Sequence, residues 1–359
     1  MSIVYILAAI LIFGVLIAVH ELGHFMAAKA CGVRVNEFSL GMGPALWKKQ
    51  KGETLYAWRA FPVGGYCAME GEDKEAEDPD DPRALHNKGF WAKLLIFAAG
   101  ALMNFLAGFL IIFFLYVGAK GFYTADIVEL NPAFPQQGES GVMVGDSIYA
   151  INGERVYMQS DVNLVMQATK RDEDGTIEMI LLRDGEKLTR TLTLQDYTNE
   201  KGESYRAYGF TYGGVEEANF GVRMKYTCLN TIDFVRTVRL SLQMLFNGQA
   251  GMKDLSGPVG IVSTITDVGK QSENTKAAFE NIAYLAALIA VNLGVMNLLP
   301  LPALDGGKIF FLVVNAICKA IFGKQIPAKF ENYVHYAGLI LLLGLMVFIT
   351  FQDVWKIFT

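Results

Sequence analysis

The chain has 359 residues, 52% of them hydrophobic and only 19% charged, with a formal net charge of -5. Average globular proteins carry about 25% charged residues, so much of this chain is suited to lipid. The acidic balance excludes the basic footprint of a nucleic-acid partner.

A helix that crosses the hydrocarbon of a bilayer needs about 20 mostly apolar residues. Residues 1–19 form the first such stretch. They lack the basic lead and the small-residue cleavage site of a signal peptide and are read as a retained span, one that runs directly into His20, Glu21 and His24. Residues 54–69, TLYAWRAFPVGGYCAM, alternate like two strands around Gly64-Gly65. The acidic run EGEDKEAEDPDDP at 70–82 reads as a solvated loop without chemistry. A second span covers residues 94–119. Beyond it, alternating apolar residues flank Asn152-Gly153 and Asp184-Gly185, the dipeptides of tight hairpins, and predict a small β-rich module. In residues 230–247, Ile232, Val235, Val238, Leu242 and Leu245 share one helical face, with Arg236 and Arg239 off it. That pattern suits an amphipathic helix at a membrane surface, or one packed on a domain. The third span, 281–304, is interrupted by Pro300 and Pro302, and a shorter fourth covers 336–352.

Lys48, Lys49, Lys51 and Arg59 lie between the first two spans and Lys308, Lys319, Lys324 and Lys329 between the last two, whereas residues 1–19 hold no basic residue. The positive-inside rule puts both loops in the cytoplasm, both termini outside and the segment 120–280 outside. Cys31, Cys67 and Cys318 then face the cytoplasm while Cys228 stands alone outside, without metal-type spacing, so no disulfide is expected.

His20, Glu21 and His24 form an H-E-x-x-H motif. On a helix the two imidazoles at i and i+4 share one face and can grip a single Zn²⁺, with the glutamate beside it as general base. Half of the four histidines in the chain are here; His86 and His335 have no second ligand within sequence reach and read as structural. An ionisable residue within a span costs about 2.5–3.5 kcal/mol on translocon scales, so such a cluster points to function. A catalytic zinc site takes three protein ligands. Asp305 is the only charge near the end of the third span, and the first and third spans cross in the same direction, so His20, His24 and Asp305 all arrive near the cytoplasmic face. On the residues alone the histidines could instead bond backbone or a neighbouring helix, Asp305 could be a helix-end residue, and Asn292 and Asn297 could be helix-packing contacts.

HELGH in the first span, NLLPLPALDGG closing the third and an inserted external domain together resemble the site-2 protease family of intramembrane zinc metalloproteases, in its RseP/RasP-like branch. The resemblance covers nearly the whole chain and includes FSLGMGPALWKK (38–49), FPVGGYCAM (61–69), NKGFWAKLLIFAAGALMNFLAG (87–108) and LSGPVGIV (255–262). It implies that His20, His24 and Asp305 bind zinc, that Glu21 is catalytic, and that Asn292, Asn297, Pro300 and Pro302 hold substrate near the metal. It also places the strand pair with Gly64 and Gly65 at the membrane beside the active site, where its backbone could pair with an extended substrate. Ala101 departs from the family, whose members usually have proline there.

The β-rich insertion resembles a single PDZ domain. The expected architecture is a polytopic α-helical membrane protein of about four transmembrane helices, with an inserted β-rich extracytoplasmic PDZ domain and a membrane-associated β-hairpin. Its parts are an N-terminal membrane part (1–121), the PDZ domain (122–197), a connector with an amphipathic helix (198–278) and a C-terminal membrane part (279–359). The expected setting is a bacterial cytoplasmic membrane, and the expected partners are the lipid bilayer and single-pass membrane proteins already cut by another protease, of the anti-sigma-factor or remnant-signal-peptide type. Two other classes remain open: a transporter with broken helices at the midplane, disfavoured by the lack of an inverted repeat, and a non-catalytic membrane receptor that senses envelope peptides through the PDZ domain.

Overall fold

The computed structural model describes residues 3–72, 80–168, 175–198 and 202–358. The chain divides into two compact units, Met1–Ile111 with Asn247–Thr359, and Ile112–Phe246.

In the first unit, α1 (Ile3–Ala30) is an uninterrupted helix. At 1.5 Å per residue it is about 42 Å long, which exceeds the roughly 30 Å hydrocarbon thickness and places His20 about 26 Å from its start. Ile3, Val4, Leu7, Leu11 and Val15 are exposed, whereas Ala9, Leu16, Gly23, His24, Ala27 and Ala28 make a buried stripe. The chain then turns into two long strands, β1 (Val35–Lys51) and β2 (Thr54–Met69), joined at Gly52-Glu53.

The two halves of 54–69 do not pair with each other, as the alternation around Gly64-Gly65 suggested. Residues 37–40 of β1 lie between them: Phe38 stands opposite both Cys67 and Tyr56, and Leu40 opposite both Gly65 and Trp58. The pair is bent back on itself because register shifts accumulate along β1, where Gly41 and Gly43 take positive φ. The described part of the acidic run is not merely solvated either. Glu70 is buried and accepts from Asn36, Glu72 pairs with Lys308 at 2.6 Å, and Asp81 pairs with Arg34 at 3.0 Å; residues 73–79 lie outside the described residues. The next helix, α2 (Phe90–Tyr116), runs unbroken through Ala101, which is fully buried.

The second unit holds β3 (Gly121–Tyr123), β4 (Ile127–Leu130), β5 (Ser147–Ile151), β6 (Glu154–Arg155), α3 (Gln159–Ala168), β7 (Ile177–Arg183), β8 (Glu186–Leu192), β9 (Gln195–Thr198), β10 (Ser204–Ala207), β11 (Phe210–Tyr212), β12 (Val215–Glu217) and α4 (Phe220–Phe246). A four-stranded sheet has the order β6-β5-β7-β8, and β11 and β12 return to pair with β4 and β3. Both expected hairpin turns form, with Asn152-Gly153 and Asp184-Gly185 at positive φ. Phe134, Ile151, Ile177, Met179 and Leu181 fill the core.

The buried side of α4 only partly matches the apolar face read from its sequence: Val238 is buried and Leu242 and Leu245 are half-buried. Ile232 and Val235 are exposed, while Asn230, Asp233, Phe234 and Arg236 are buried. Arg236 bridges Asp233 and Asp161 of α3 and donates to the Arg155 carbonyl. A buried charge is retained because each of its partners is charged or polar, and that outweighs the loss of two apolar contacts.

The first unit resumes with α5 (Pro258–Gln271), α6 (Thr275–Leu298), α7 (Asp305–Phe322) and α8 (Ala328–Phe358). The N-terminus of α5 is capped from α8, where buried Asp353 accepts from the Gly257 and Gly260 N–H groups, each at 2.8 Å. Pro300 and Pro302 end α6 as expected, and α8 extends beyond the apolar stretch read from the sequence in both directions. Among the described residues four helices are long and apolar enough to cross a membrane: Ile3–Ala30, Phe90–Tyr116, Thr275–Leu298 and Ala328–Lys356.

Candidate metal centre

The i, i+4 spacing puts the His20 and His24 rings on one side of α1, with centroids 4.8 Å apart. Asp305 reaches them because the chain breaks and reverses between α6 and α7. The two prolines stop the helix, and the first turn of α7 folds back against its end so closely that a Cβ on Gly306 would lie 2.1 Å from the Leu299 carbonyl oxygen and one on Gly307 2.4 Å from that of Leu301. Only a glycine pair permits this crossing of backbones, and Asp305 stands immediately before it.

Three atoms converge. His20 Nε2 lies 3.1 Å from Asp305 Oδ2, His24 Nε2 3.2 Å from the same oxygen, and the two nitrogens 3.2 Å from each other. His24 Nδ1 lies 2.8 Å from the Ile96 carbonyl of α2. A carbonyl only accepts, so Nδ1 carries the proton and Nε2 presents a lone pair. Asp305 Oδ2 is buried and has no hydrogen-bond partner. These three residues form a group whose ligand atoms all lie within 4.8 Å of one another, close enough to hold a metal ion. Four ligands around Zn²⁺ at bond lengths of about 2.0–2.1 Å are separated by about 3.3 Å, so both the spacing and the donor types fit zinc.

The remaining expected residues divide. Glu21 is half-buried, one position from His20; a Cβ on Gly65 would lie 3.3 Å from Glu21 Cγ, so β2 passes directly beside it. Gly64, at φ 87°, faces the Met42 side chain instead. Asn292 is exposed and Asn297 half-buried on α6, Pro300 is exposed and Pro302 half-buried, and among the described residues neither asparagine bonds to the cluster.

Sequence reasoning alone missed several neighbours of the centre. Ile96, Gly100 and Asn104 lie at i, i+4 and i+8 of α2 and line the histidines from the other side. A Cβ on Gly100 would sit 2.4 Å from His24 Nε2 and 2.8 Å from His20 Nε2. Asn104 is 1% exposed, its amide nitrogen 3.4 Å from His20 Nδ1 and its Oδ1 without a partner. Exchanging the amide oxygen and nitrogen, which share one shape, lets Asn104 accept the His20 ring proton. A glycine and an asparagine on one stripe of an apolar span were the available signal. Lys308, one turn after Asp305, holds Glu72.

Apolar helices of spanning length together with an HExxH pair closed by an aspartate define a membrane metalloprotease. Residues 8–345 match the profile of peptidase family M50. A Clostridium perfringens protein provisionally named as a zinc metalloprotease is 36% identical over 98% of each chain, and a Fusobacterium nucleatum protein of the same naming is 32% identical over 98% of this chain and 99% of its own. The Regulator of sigma-W protease RasP of Bacillus subtilis is 27% identical over 98% of this chain and 99% of its own. The chain belongs to peptidase family M50, the site-2 proteases, and is a zinc metalloprotease.

Proposed function

We propose that the chain is an intramembrane endopeptidase in which His20, His24 and Asp305 hold Zn²⁺ and Glu21 is the general base. The observation that carries this reading is the triangle of lone-pair atoms, with Glu21 on the same helix and a strand passing beside it. Bound there, zinc would lower the pKa of a water toward about 7 and polarise the scissile carbonyl. Glu21 takes the proton of the attacking water and passes it to the leaving amide nitrogen.

A transmembrane helix hides its own carbonyls, so the substrate must be unwound. Residues 64–69 pair with β1 on one edge, and among the described residues no strand lies on the other. Gly64, Gly65 and their neighbours can therefore hold an extended substrate by strand pairing. Asn292, Asn297, Pro300 and Pro302, at the end of α6, would hold the substrate close to the metal.

We read residues 122–197 as a PDZ-type domain that filters substrates by access or size. In support, α3 faces a cavity of about 240 Å³ lined by Val162, Met166, Met179, Leu194, Tyr208 and Phe210. The substrates are single-pass membrane proteins shortened by an earlier cut, of the anti-sigma-factor or remnant-signal-peptide type; the name of the Bacillus subtilis relative supports a target in sigma-factor control. The basic loops favour an active site near the cytoplasmic side of a bacterial inner membrane, with the β-rich insertion outside.

Cleavage of a tagged single-pass substrate by the purified protein tests this reading. Wild type should give product, and zinc chelation should stop it. Glu21→Gln should keep the metal while slowing cleavage by about 10²–10⁴-fold, the range of general acid–base catalysis; undiminished cleavage by that variant would refute the role.

A further inference from the structure

The loop that delivers Asp305 contains a conformation it does not favour. Ala303 has a φ of 74°, the left-handed region that is costly for any residue with a Cβ. Within the loop the Leu301 N–H bonds the Leu299 carbonyl and the Leu304 N–H bonds that of Leu301. The Ala303 N–H instead donates outward, to Nδ1 of His335 on α8 at 3.0 Å.

The same face of α8 shapes the rest of the loop. Three residues on from His335, Gly338 sits where a Cβ would come within 2.3 Å of Pro302 Cβ, and the His335 ring lies 3.2 Å from the position a Cβ on Gly307 would take. The ring also packs on Phe311 of α7, centroid to centroid 5.4 Å. One histidine thus touches both sides of Asp305, bonding two residues before it and packing two and six residues after it.

We propose that His335, which the sequence offered only as a structural residue, is a positioning residue for the metal centre: its Nδ1 fixes the left-handed turn at Ala303 and so holds the Asp305 carboxylate at its distance from His20 and His24. This rests on the reading of Asp305 as a zinc ligand. Without the acceptor, Ala303 relaxes to negative φ. The peptide between it and Leu304 then reorients, and Asp305 moves with it.

The test is zinc affinity of the purified full chain, measured by competition with a fluorescent chelator, alongside kcat and KM. His335→Asn places an oxygen where Nδ1 stood, whereas His335→Gln places it about one bond farther out. Asn should stay within about threefold of wild type; Gln and Phe should weaken zinc about tenfold, the worth of one hydrogen bond, and lower kcat with KM unchanged. Ala303→Gly, which adopts the turn without cost, should recover most of the loss in the His335→Phe background. Equal zinc affinity for the Asn and Gln variants, or no recovery by Ala303→Gly, would overturn the proposal. Should His335→Phe not fold, the Asn and Gln pair decides alone. Asp305→Ala separates the two layers: if it keeps wild-type zinc affinity, the ligand reading falls and this inference with it, and if it loses zinc while the Gln variant does not, only this inference falls.

Discussion

Gly100→Ala should weaken zinc binding without replacing any of the proposed ligands. The added Cβ would lie 2.4 Å from His24 Nε2, 2.7 Å from His20 Cε1 and 2.8 Å from His20 Nε2. Ordinary carbon contacts begin near 3.5 Å, so at least one imidazole must retreat by about 1 Å. Zinc–ligand distances tolerate about 0.2 Å, so a shift of that size amounts to losing one ligand. Structural zinc sites are worth about 10–16 kcal/mol over four ligands, or roughly 2.5–4 kcal/mol each, which is about 10²–10³-fold in Kd. Chelator competition on the purified protein reads the affinity, and circular dichroism in the same detergent checks that the helices remain. A folded Gly100→Ala variant with wild-type zinc affinity would refute the packing of α2 against the two histidines, and with it the account of why the span carries a glycine there.

Asp353→Ala should leave the buried Gly257 and half-buried Gly260 N–H groups at the start of α5 unpaired, a loss of about 2–4 kcal/mol, visible as faster amide exchange in α5; both bonds go to Oδ2, so Asp353→Asn, which keeps one oxygen, should stay much closer to wild type. In the second unit, burial and the charge of Asp161 push the Asp233 carboxyl up to about 7 despite Arg236. A carboxyl whose folded pKa is raised favours the fold when protonated. The penalty is therefore absent below about pH 4, grows as pH rises toward 7 and is complete above it. Amide protection of α4, corrected for intrinsic exchange, should fall across that window in wild type and stay flat in Asp233→Asn; a flat wild-type profile would remove the effect. Charge reversal at both Lys308 and Glu72 should restore the zinc affinity lost by reversing either alone, since the pair ties the loop after β2 to the helix that begins with Asp305.

Residues whose chemistry is local could be read from the chain itself. Apolar length gave the spans, the i, i+4 spacing of His20 and His24 put two donors on one helical face, and Asn152-Gly153 and Asp184-Gly185 gave turns, because each depends only on residues within a few positions. Asp305 could be singled out for a different reason: it is the only charge near the end of the third apolar stretch. Misreadings arose where a partner far along the chain decided the outcome. The apolar stripe of α4 was a reasonable guide until Asp161, 75 residues earlier than Arg236, supplied a buried countercharge. Residues 54–69 alternate like a hairpin, and nothing in them reveals that 37–40 will lie between the two halves.

Composition and short-range spacing were enough to show a chain built for lipid and an H-E-x-x-H pair of the kind that binds zinc, and the ends of the apolar stretches pointed to the aspartate that could complete it. It took the folded chain to show that Gly100 lies against both histidines, that Asn104 backs His20, that Asp353 caps a helix almost a hundred residues earlier, and that His335 bonds the turn before Asp305. Those roles come from distances between helices, set by how closely backbones approach where glycines allow it; a small or polar residue in an apolar span marks such a place, but not which residue of another helix it meets.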